Sequence, residues 1–340
     1  MVIFFISSGV DIGIGHVRRC AQLANELIAK NIEVLFCLKH DPRSLEIIEP
    51  YNFKTGIISD EDGILGILKE NQDVSVLIYD LLKVKREDNQ YIKTHYPHIK
   101  ILALDYFDMN DPNVDTIINL YNHNKTLAQP LSTAVRYLEG PKYGILRDEF
   151  KAFLKNKNSG RKVSLRKLLI TFGGSDPQMN TLFVLPVINE LEFGKELDVT
   201  VVIGPNFAHA KQVAILVETL SLNIKIISNP PNMASLMNNI DLCICGSGTT
   251  ILELAALGIP AMVLPQSEEE YHFAKSLESA GFAKVIGRLN SLDRSYLADI
   301  LNNYYTKPDK LAWAGAIGPE LCDGLGDQRI VDEVVALLNS

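Results

Sequence analysis

Short apolar runs of strand length recur along the chain, and each is followed by a segment whose apolar residues have helical spacing. The run VIFFIS at residues 2–7 has the length and composition of a buried parallel strand. The segment 16–30 then places Val17, Ala21 and Ala24 on one helical face. Further strand-like runs in this half are IEVLFCL, VSVLIYD, KILALDYF and DTIINLY. This alternation predicts an open, mostly parallel sheet covered by helices.

The same alternation begins again after residue 166 and predicts a second domain, as expected for a chain of 340 residues. The helix patterns TTILELAALG and EEYHFAKSLESAG end at Gly258 and Gly281, a common way for a helix to stop. The predicted fold class is α/β, with two Rossmann-like domains and a cleft between them. The strand-like runs of this half are KLLITFG, DVTVVIG, IKIIS, DLCICG, PAMVLP and AKVIG.

The domain boundaries follow from a basic, turn-rich segment that has few large apolar residues. This segment, 153–166, is the predicted linker between an N-terminal domain, 1–152, and a C-terminal domain, 167–340. The last pattern, GDQRIVDEVVALLN, predicts an amphipathic helix. That helix either stays with the second domain or packs back on the first.

The net charge, the length of the apolar runs and the cysteine spacing argue against several classes of protein. The formal net charge of −8 disfavours nonspecific binding to nucleic acid. The apolar runs are too short for stable membrane insertion, and VIFFIS has neither the basic flank nor the cleavage pattern of a signal peptide. Five cysteines without CxxC spacing argue against a disulfide framework and a zinc site. We therefore expect a reduced, cytoplasmic protein, monomeric, with no metal or cofactor.

The glycine-bearing segment after the first strand contains a candidate base. It departs from the dinucleotide fingerprint, because Arg18 stands where the third glycine belongs, and it is not a Walker A loop. Gly13 and Gly15 allow close backbone approach, and His16 begins the following helix, where free N–H groups can bind an anion. His16 is then either a general base or a residue that caps and packs at the turn. This segment alone favours the second interpretation.

Two loops in the second half have the residue types of a phosphate site. Ser247, Gly248, Thr249 and Thr250 open a helix and can offer amides, hydroxyls and the helix dipole to a diphosphate, while Glu253 can reach ribose hydroxyls. The alternative is an ordinary loop followed by a solvated glutamate. The second loop, after a neighbouring strand, is made of Gly173, Gly174, Ser175 and Asp176.

Two aspartates, Asp80 and Asp105, end strands of the first half. A lone aspartate at such a position more often caps a turn than takes part in catalysis. Both are nevertheless predicted to lie at the edge of the sheet that faces the cleft.

Five motifs follow one another along the chain: GIGHVRRC, EGPKYGILRDEF, ITFGGSDP, PPNMASLMNNIDLCICGSGTTILELAALGIP and DGLGDQRIV. Taken in this order, they resemble the motifs of one family, the UDP-sugar hydrolases of pseudaminic acid biosynthesis. That family is related in fold to the UDP-N-acetylglucosamine transferase of peptidoglycan synthesis, a GT-B arrangement.

The resemblance implies a reaction and a set of roles. His16 would activate water against the anomeric carbon of a UDP-linked 2,4-diacetamido-2,4,6-trideoxyhexose, with inversion at that carbon. Residues 247–250 would surround the diphosphate of UDP, with Glu253 near the ribose. Residues 173–176 would face the phosphates or the sugar. Arg18 or Arg19 could help to offset the charge of the diphosphate.

Two departures from the family pattern bear on specificity. The family usually has Asp-His-Tyr where this chain has Asp80-Leu81-Leu82, and Asn-Gln where it has Glu269 and Glu270. Amides donate and accept hydrogen bonds, whereas ionised carboxylates only accept and repel a diphosphate.

Three functions stay open at this point. The first expectation is the hydrolase. The second is a GT-B glycosyltransferase that uses a UDP-sugar donor in cell-surface polysaccharide biosynthesis, with His16 acting on an acceptor hydroxyl. The third is a nucleotide-sugar binding protein without turnover.

Overall fold

The computed structural model divides the chain into two compact units. The first contains Met1–Arg147 together with Leu325–Ser340, and the second contains Asp148–Gly324. The structure describes residues 1–7, 15–39, 41–58, 63–81, 84–106, 110–120, 135–154, 164–288 and 291–340.

The first unit is built on a seven-stranded sheet in which all pairs are parallel, in the order β3-β2-β1-β4-β5-β6-β7. Strand β1 lies between β2 and β4 and is buried along its whole length, as its continuous apolar run predicts. The strands are β1 Val2–Ile6, β2 Val34–Lys39, β3 Lys54–Ile58, β4 Val76–Asp80, β5 Lys100–Leu104, β6 Thr116–Asn119 and β7 Arg136–Glu139.

Helices cover this sheet through apolar faces. On α1, Val17, Ala21 and Ala24 are buried, as the helical spacing predicts, and they join a core cluster with Phe4 and Phe36. The helices of this part are α1 Gly15–Ala29, α2 Pro42–Ile48, α3 Gly63–Glu70 and α4 Arg86–His95.

The second unit has a six-stranded parallel sheet in the order β10-β9-β8-β11-β12-β13. Cys243 and Cys245 lie buried in its strand β11, and all five cysteines are free thiols. The strands are β8 Lys167–Thr171, β9 Asp198–Ile203, β10 Asn223–Ser228, β11 Leu242–Cys245, β12 Ala261–Val263 and β13 Ala283–Val285. The prediction of two parallel-sheet α/β domains is confirmed.

The helices of the second unit include one that corrects a predicted boundary. Residues 148–152 were expected in the first domain, but helix α5 packs against α8 and α9 of the second unit. The Glu149 carboxylate also accepts the N–H of Met233, at 3.2 Å. The helices are α5 Asp148–Leu154, α6 Asn180–Glu190, α7 Ala210–Thr219, α8 Met233–Met237, α9 Thr249–Leu257, α10 Glu268–Ser279, α11 Arg294–Thr306 and α12 Pro308–Leu321. Residues 155–163 of the predicted linker lie outside the described residues.

The last helix, α13 Gly326–Leu338, belongs to the first unit, which is the second of the two placements that the sequence left open. The second unit therefore ends at Gly324 and not at residue 340. Its buried residues Ile330, Val331 and Val334 join the apolar cluster of β1 and α1, and Gln22 donates to Asp327 at 3.1 Å. Burial of this apolar face explains why the chain returns to the first unit.

Candidate functional site

The histidine at the start of α1 lies against a carboxylate at the end of β4. His16 Nδ1 is 2.7 Å from Asp80 Oδ1, and their side chains are 24% and 1% exposed. Asp80 is the last residue of β4 and pairs in register with Ile6, the last residue of β1. Because both strands end at the same edge of the sheet, the helix that follows β1 brings His16 to Asp80.

An arginine one turn along α1 joins this pair to a second carboxylate. Arg19 donates from Nε to Asp80 Oδ2 and from Nη2 to Asp80 Oδ1, both at 2.6 Å. Its Nη1 donates to Asp105 Oδ2, also at 2.6 Å. The Arg19 side chain is only 8% exposed. This fork geometry is the one in which a guanidinium binds carboxylates most strongly.

The charge of Asp80 decides how the imidazole is oriented. Burial alone would raise the pKa of Asp80, but the charge and hydrogen bonds of Arg19 and the hydrogen bond of His16 hold it well below its usual range. An ionised carboxylate only accepts, so His16 Nδ1 carries the hydrogen. Arg19 Nη2, 3.2 Å from that nitrogen, is then a close neighbour and not a hydrogen-bond donor to it. In the neutral form of this imidazole, the lone pair is then on Nε2.

The remaining atoms of this network are also paired. Asp105 follows β5 with a positive φ of 50°, and its Oδ1 accepts the N–H of Leu120 at 2.8 Å. Burial raises the pKa of the Cys20 thiol well above its usual range, so the protonated thiol donates to Asp80 Oδ2 at 3.2 Å. The network is an imidazole whose free nitrogen is oriented by a buried, fully paired carboxylate, which is the arrangement of a general base.

From the sequence, Asp80 and Asp105 are separate candidates with no predicted contact between them. Arg19 is predicted only to offset the charge of a diphosphate. The structure places the Arg19 guanidinium against the two aspartates instead. The spacing of His16 and Arg19 on one helical turn is the signal that could have linked them. Arg18 is exposed on α1. Gly13 and Leu82 lie outside the described residues.

In the second unit, the loop between β11 and α9 is held by α10. Ser247 is buried; its N–H donates to Glu270 Oε2 at 3.1 Å, and its hydroxyl donates to the Glu270 carbonyl at 2.6 Å. The amide and the hydroxyl of Ser247, which the sequence predicts as diphosphate contacts, therefore both form hydrogen bonds within the protein. Helix α9 begins at Thr249 with Gly248 as N-cap, so the first-turn amides of Thr249 and Thr250 are those placed to meet an anion.

Three glutamates predicted for this site differ in their surroundings. Glu253 lies one turn into α9 and is 5% exposed. Glu270 Oε2 also accepts the N–H of Gln266 at 2.9 Å, so its carboxylate bridges the loops that follow β11 and β12. Glu269 is exposed on the first turn of α10.

The aspartate of the GGSD loop supports a helix. Asp176 is fully buried; its Oδ1 accepts the N–H of Asn180 at 2.9 Å, and its Oδ2 accepts the N–H and the hydroxyl of Thr181 at 2.9 and 2.7 Å. The carboxylate therefore caps α6 within the protein, and its part in a ligand site stays a prediction. Gly173, Gly174 and Ser175 are exposed.

Two further features were searched for in the described part of the chain. No group of three His, Cys, Asp or Glu residues there is arranged to hold a metal ion. None of the described helices combines the length and apolarity that crossing a membrane requires.

The second unit is similar in sequence to a glycosyltransferase domain. Residues 168–315 match the glycosyltransferase family 28 C-terminal domain. An uncharacterized protein of Methanocaldococcus jannaschii is 35% identical over an alignment of 289 residues, and the match covers 79% of this chain and 56% of that protein. The chain thus spans little more than half the length of this relative.

Two named relatives extend the comparison. The spore coat polysaccharide biosynthesis protein SpsG of Bacillus subtilis is 26% identical over 83% of this chain and 82% of its own length. The UDP-N-acetylglucosamine–N-acetylmuramyl-(pentapeptide) pyrophosphoryl-undecaprenol N-acetylglucosamine transferase of Campylobacter hominis is 27% identical over 59% of this chain and 56% of its own length.

Among solved structures, MurG of Acinetobacter baumannii has a TM-score of 0.74 at 14% identity, and the match covers 98% of this chain and 99% of that one. The two parallel-sheet α/β domains are therefore those of GT-B glycosyltransferases such as MurG, as the sequence motifs implied.

Proposed function

We propose that the chain is a GT-B glycosyltransferase that takes its sugar from a UDP-sugar donor. The observation that carries the proposal is the His16–Asp80 pair, because it gives a GT-B protein an oriented general base. The family 28 match over residues 168–315 supports the transferase class, and the Campylobacter hominis relative, whose name contains UDP-N-acetylglucosamine, supports the donor.

In the proposed mechanism, His16 Nε2 takes the proton of an acceptor hydroxyl. The oxygen forms a bond to the anomeric carbon while the bond to UDP breaks, and UDP leaves with the electron pair. Attack opposite the leaving group inverts the anomeric configuration. Asp80 stabilises the imidazolium that forms, and Arg19 is the positioning residue that holds Asp80.

The second unit would bind the nucleotide part of the donor. The first-turn amides of α9 and the helix dipole would stabilise the charge that develops on the diphosphate, and Glu253 would accept ribose hydroxyls. The name of the Bacillus subtilis relative supports a polysaccharide product at the cell surface. Free thiols at all five cysteines support a cytoplasmic enzyme, and a monomer remains the proposed state.

The hydrolase was the first expectation from the sequence motifs, and the comparisons favour the transferase over it. The His16–Asp80 pair does not separate the two, because the same base can activate water or an acceptor hydroxyl.

Phosphorus NMR with a panel of UDP-sugars separates the two reactions. In the absence of an acceptor, a transferase leaves the UDP-sugar nearly intact. It releases UDP when a matching polysaccharide or lipid-linked acceptor is added. Steady UDP release without acceptor, abolished by His16→Ala, would instead establish hydrolysis. UDP binding without turnover under any condition would favour a binding protein.

A further inference from the structure

Glu270 lies in direct contact with the loop that the proposed function assigns to the diphosphate. Its Oε2 accepts the N–H of Ser247, and its main-chain carbonyl accepts the Ser247 hydroxyl. The same Oε2 accepts the N–H of Gln266, and the Glu270 N–H donates to Ser267 Oγ at 3.1 Å. These bonds fix the carboxylate in place, so it cannot turn away from the loop.

The backbone is shaped to admit this carboxylate. A Cβ atom on Gly246 would lie 3.2 Å from Glu270 Oε2 and 2.7 Å from Gln266 Nε2. A side chain at residue 246 would force Gln266 Nε2 to move and would crowd the Glu270 carboxylate, so glycine leaves this carboxylate its approach to the Ser247 amide. The hydrogen bond between Glu270 and Ser247 therefore depends on the shape of the loop after β11 as well as on helix α10.

The charge of Glu270 is not offset by a neighbouring cation in the described part of the chain. Glu268, two residues earlier, pairs with Arg288 at 3.4 Å, whereas Glu270 forms no ion pair with a described Lys, Arg or His. An uncompensated carboxylate at a partly buried position repels a second anion more strongly than a solvated one does.

We propose that Glu270 is a specificity-determining residue of the nucleotide site: it holds the loop in shape and, through its fixed negative charge, lowers the affinity for a diphosphate. This inference rests on the proposed function, which puts the diphosphate at the first turn of α9. A UDP-sugar then binds through its nucleoside and sugar more than through its phosphates, and UDP leaves readily after transfer.

The test compares UDP and uridine binding by calorimetry in the wild-type chain and in Glu270→Gln. The glutamine oxygen can still accept both amides, so the loop is retained and only the charge is lost. We expect UDP to bind at least fivefold more tightly and uridine to change less than twofold. Glu268→Gln is the matched control, because it removes an exposed carboxylate two residues away that was not assigned to the site; there UDP affinity should change less than twofold.

Glu270→Ala is a second variant, in case the glutamine variant does not fold. It removes the charge and frees the Ser247 amide, so UDP affinity should again rise at least fivefold. Unchanged or weaker UDP binding in the folded neutral variants would overturn the inference and leave the proposed function standing, as would an equal gain in Glu268→Gln. A wild-type chain that does not bind millimolar UDP would overturn both.

Discussion

At the scale of single residues, Arg19 decides whether the proposed base can form. It is buried between two carboxylates, and its guanidinium makes hydrogen bonds to both. Asp80 could not stay ionised at a buried position without this partner. The imidazole of His16 in turn depends on Asp80 for its orientation. Arg19 thus sets the orientation of His16 through Asp80, although Arg19 itself need not touch the substrate.

Replacing Arg19 with methionine should lower the free energy of unfolding by about 3 kcal/mol, because it leaves the Asp80 charge buried without its main partner. Arg18→Met is the control: the neighbouring arginine is exposed, and its loss should cost about 0.5 kcal/mol or less. Urea denaturation measures both. Equal losses in the two variants would contradict the structural role of Arg19.

Asp80→Asn should be destabilising in a pH-dependent way. The lowered pKa of Asp80 means that its ionised form stabilises the native state above the unfolded pKa, near 4, and that this stabilisation is lost as the pH falls toward the folded pKa. The difference in unfolding free energy between wild type and variant should therefore be large at pH 7 and shrink below about pH 4. A difference independent of pH would show that charge is not the cause.

At the scale of elements, both candidate regions lie where a helix begins after a parallel strand. Helix α1 starts beyond β1 and carries His16, and α9 starts beyond β11 at Thr249. The first turn of each helix presents amides or a side chain at the carboxyl edge of its sheet. Asp176 in a loop and Glu270 on the first turn of α10 hold these edges in shape through hydrogen bonds to the backbone.

Asp176→Ala should remove the cap of α6 and lower the free energy of unfolding by about 2 kcal/mol, since three donors lose a buried acceptor. Asp293 caps α11 at an exposed position, and its replacement by alanine should cost about 1 kcal/mol. Thermal or urea unfolding compares the two. A larger loss in Asp293→Ala would contradict the assignment of Asp176 as a buried cap.

The sequence predicted the elements whose apolar residues are buried along their whole length. VIFFIS and DLCICG are such strands, and Gly258 ends α9 with a φ of 70°, as its position predicted. Strands β3 and β7 were missed because they lie at the sheet edge and are partly exposed, so their pattern is weak. The sequence pattern also predicts that the ends of neighbouring strands lie close together. It does not predict the hydrogen bonds of Arg19 and Glu270, because these depend on side-chain directions that residue spacing does not determine.

At the scale of the whole molecule, the chain folds into two units, and its final segment belongs to the first of them. Residues 325–340 follow the second unit in sequence but complete the core of the first. The returning segment approaches the first unit so closely that residue 326 has to be glycine, because a Cβ atom there would lie 2.3 Å from the carbonyl oxygen of Gly144.

The fragment 148–324 should consequently unfold cooperatively alone, whereas the fragment 1–147 should not, because it lacks the apolar face of α13. Joining residues 325–340 to the fragment 1–147 through a flexible linker should restore cooperative unfolding. Circular dichroism during urea titration measures this. Cooperative unfolding of 1–147 without the last helix, at the same midpoint as with it, would contradict the division.

The most direct test of the account is the effect of His16→Ala on two quantities measured together: the rate of UDP-sugar consumption in the presence of acceptor and the affinity for UDP. If His16 is the base, turnover should fall by about 10²-fold or more while UDP affinity stays within about twofold of wild type. Loss of UDP binding in a folded variant would place His16 in the nucleotide site, and undiminished turnover would show that another group is the base.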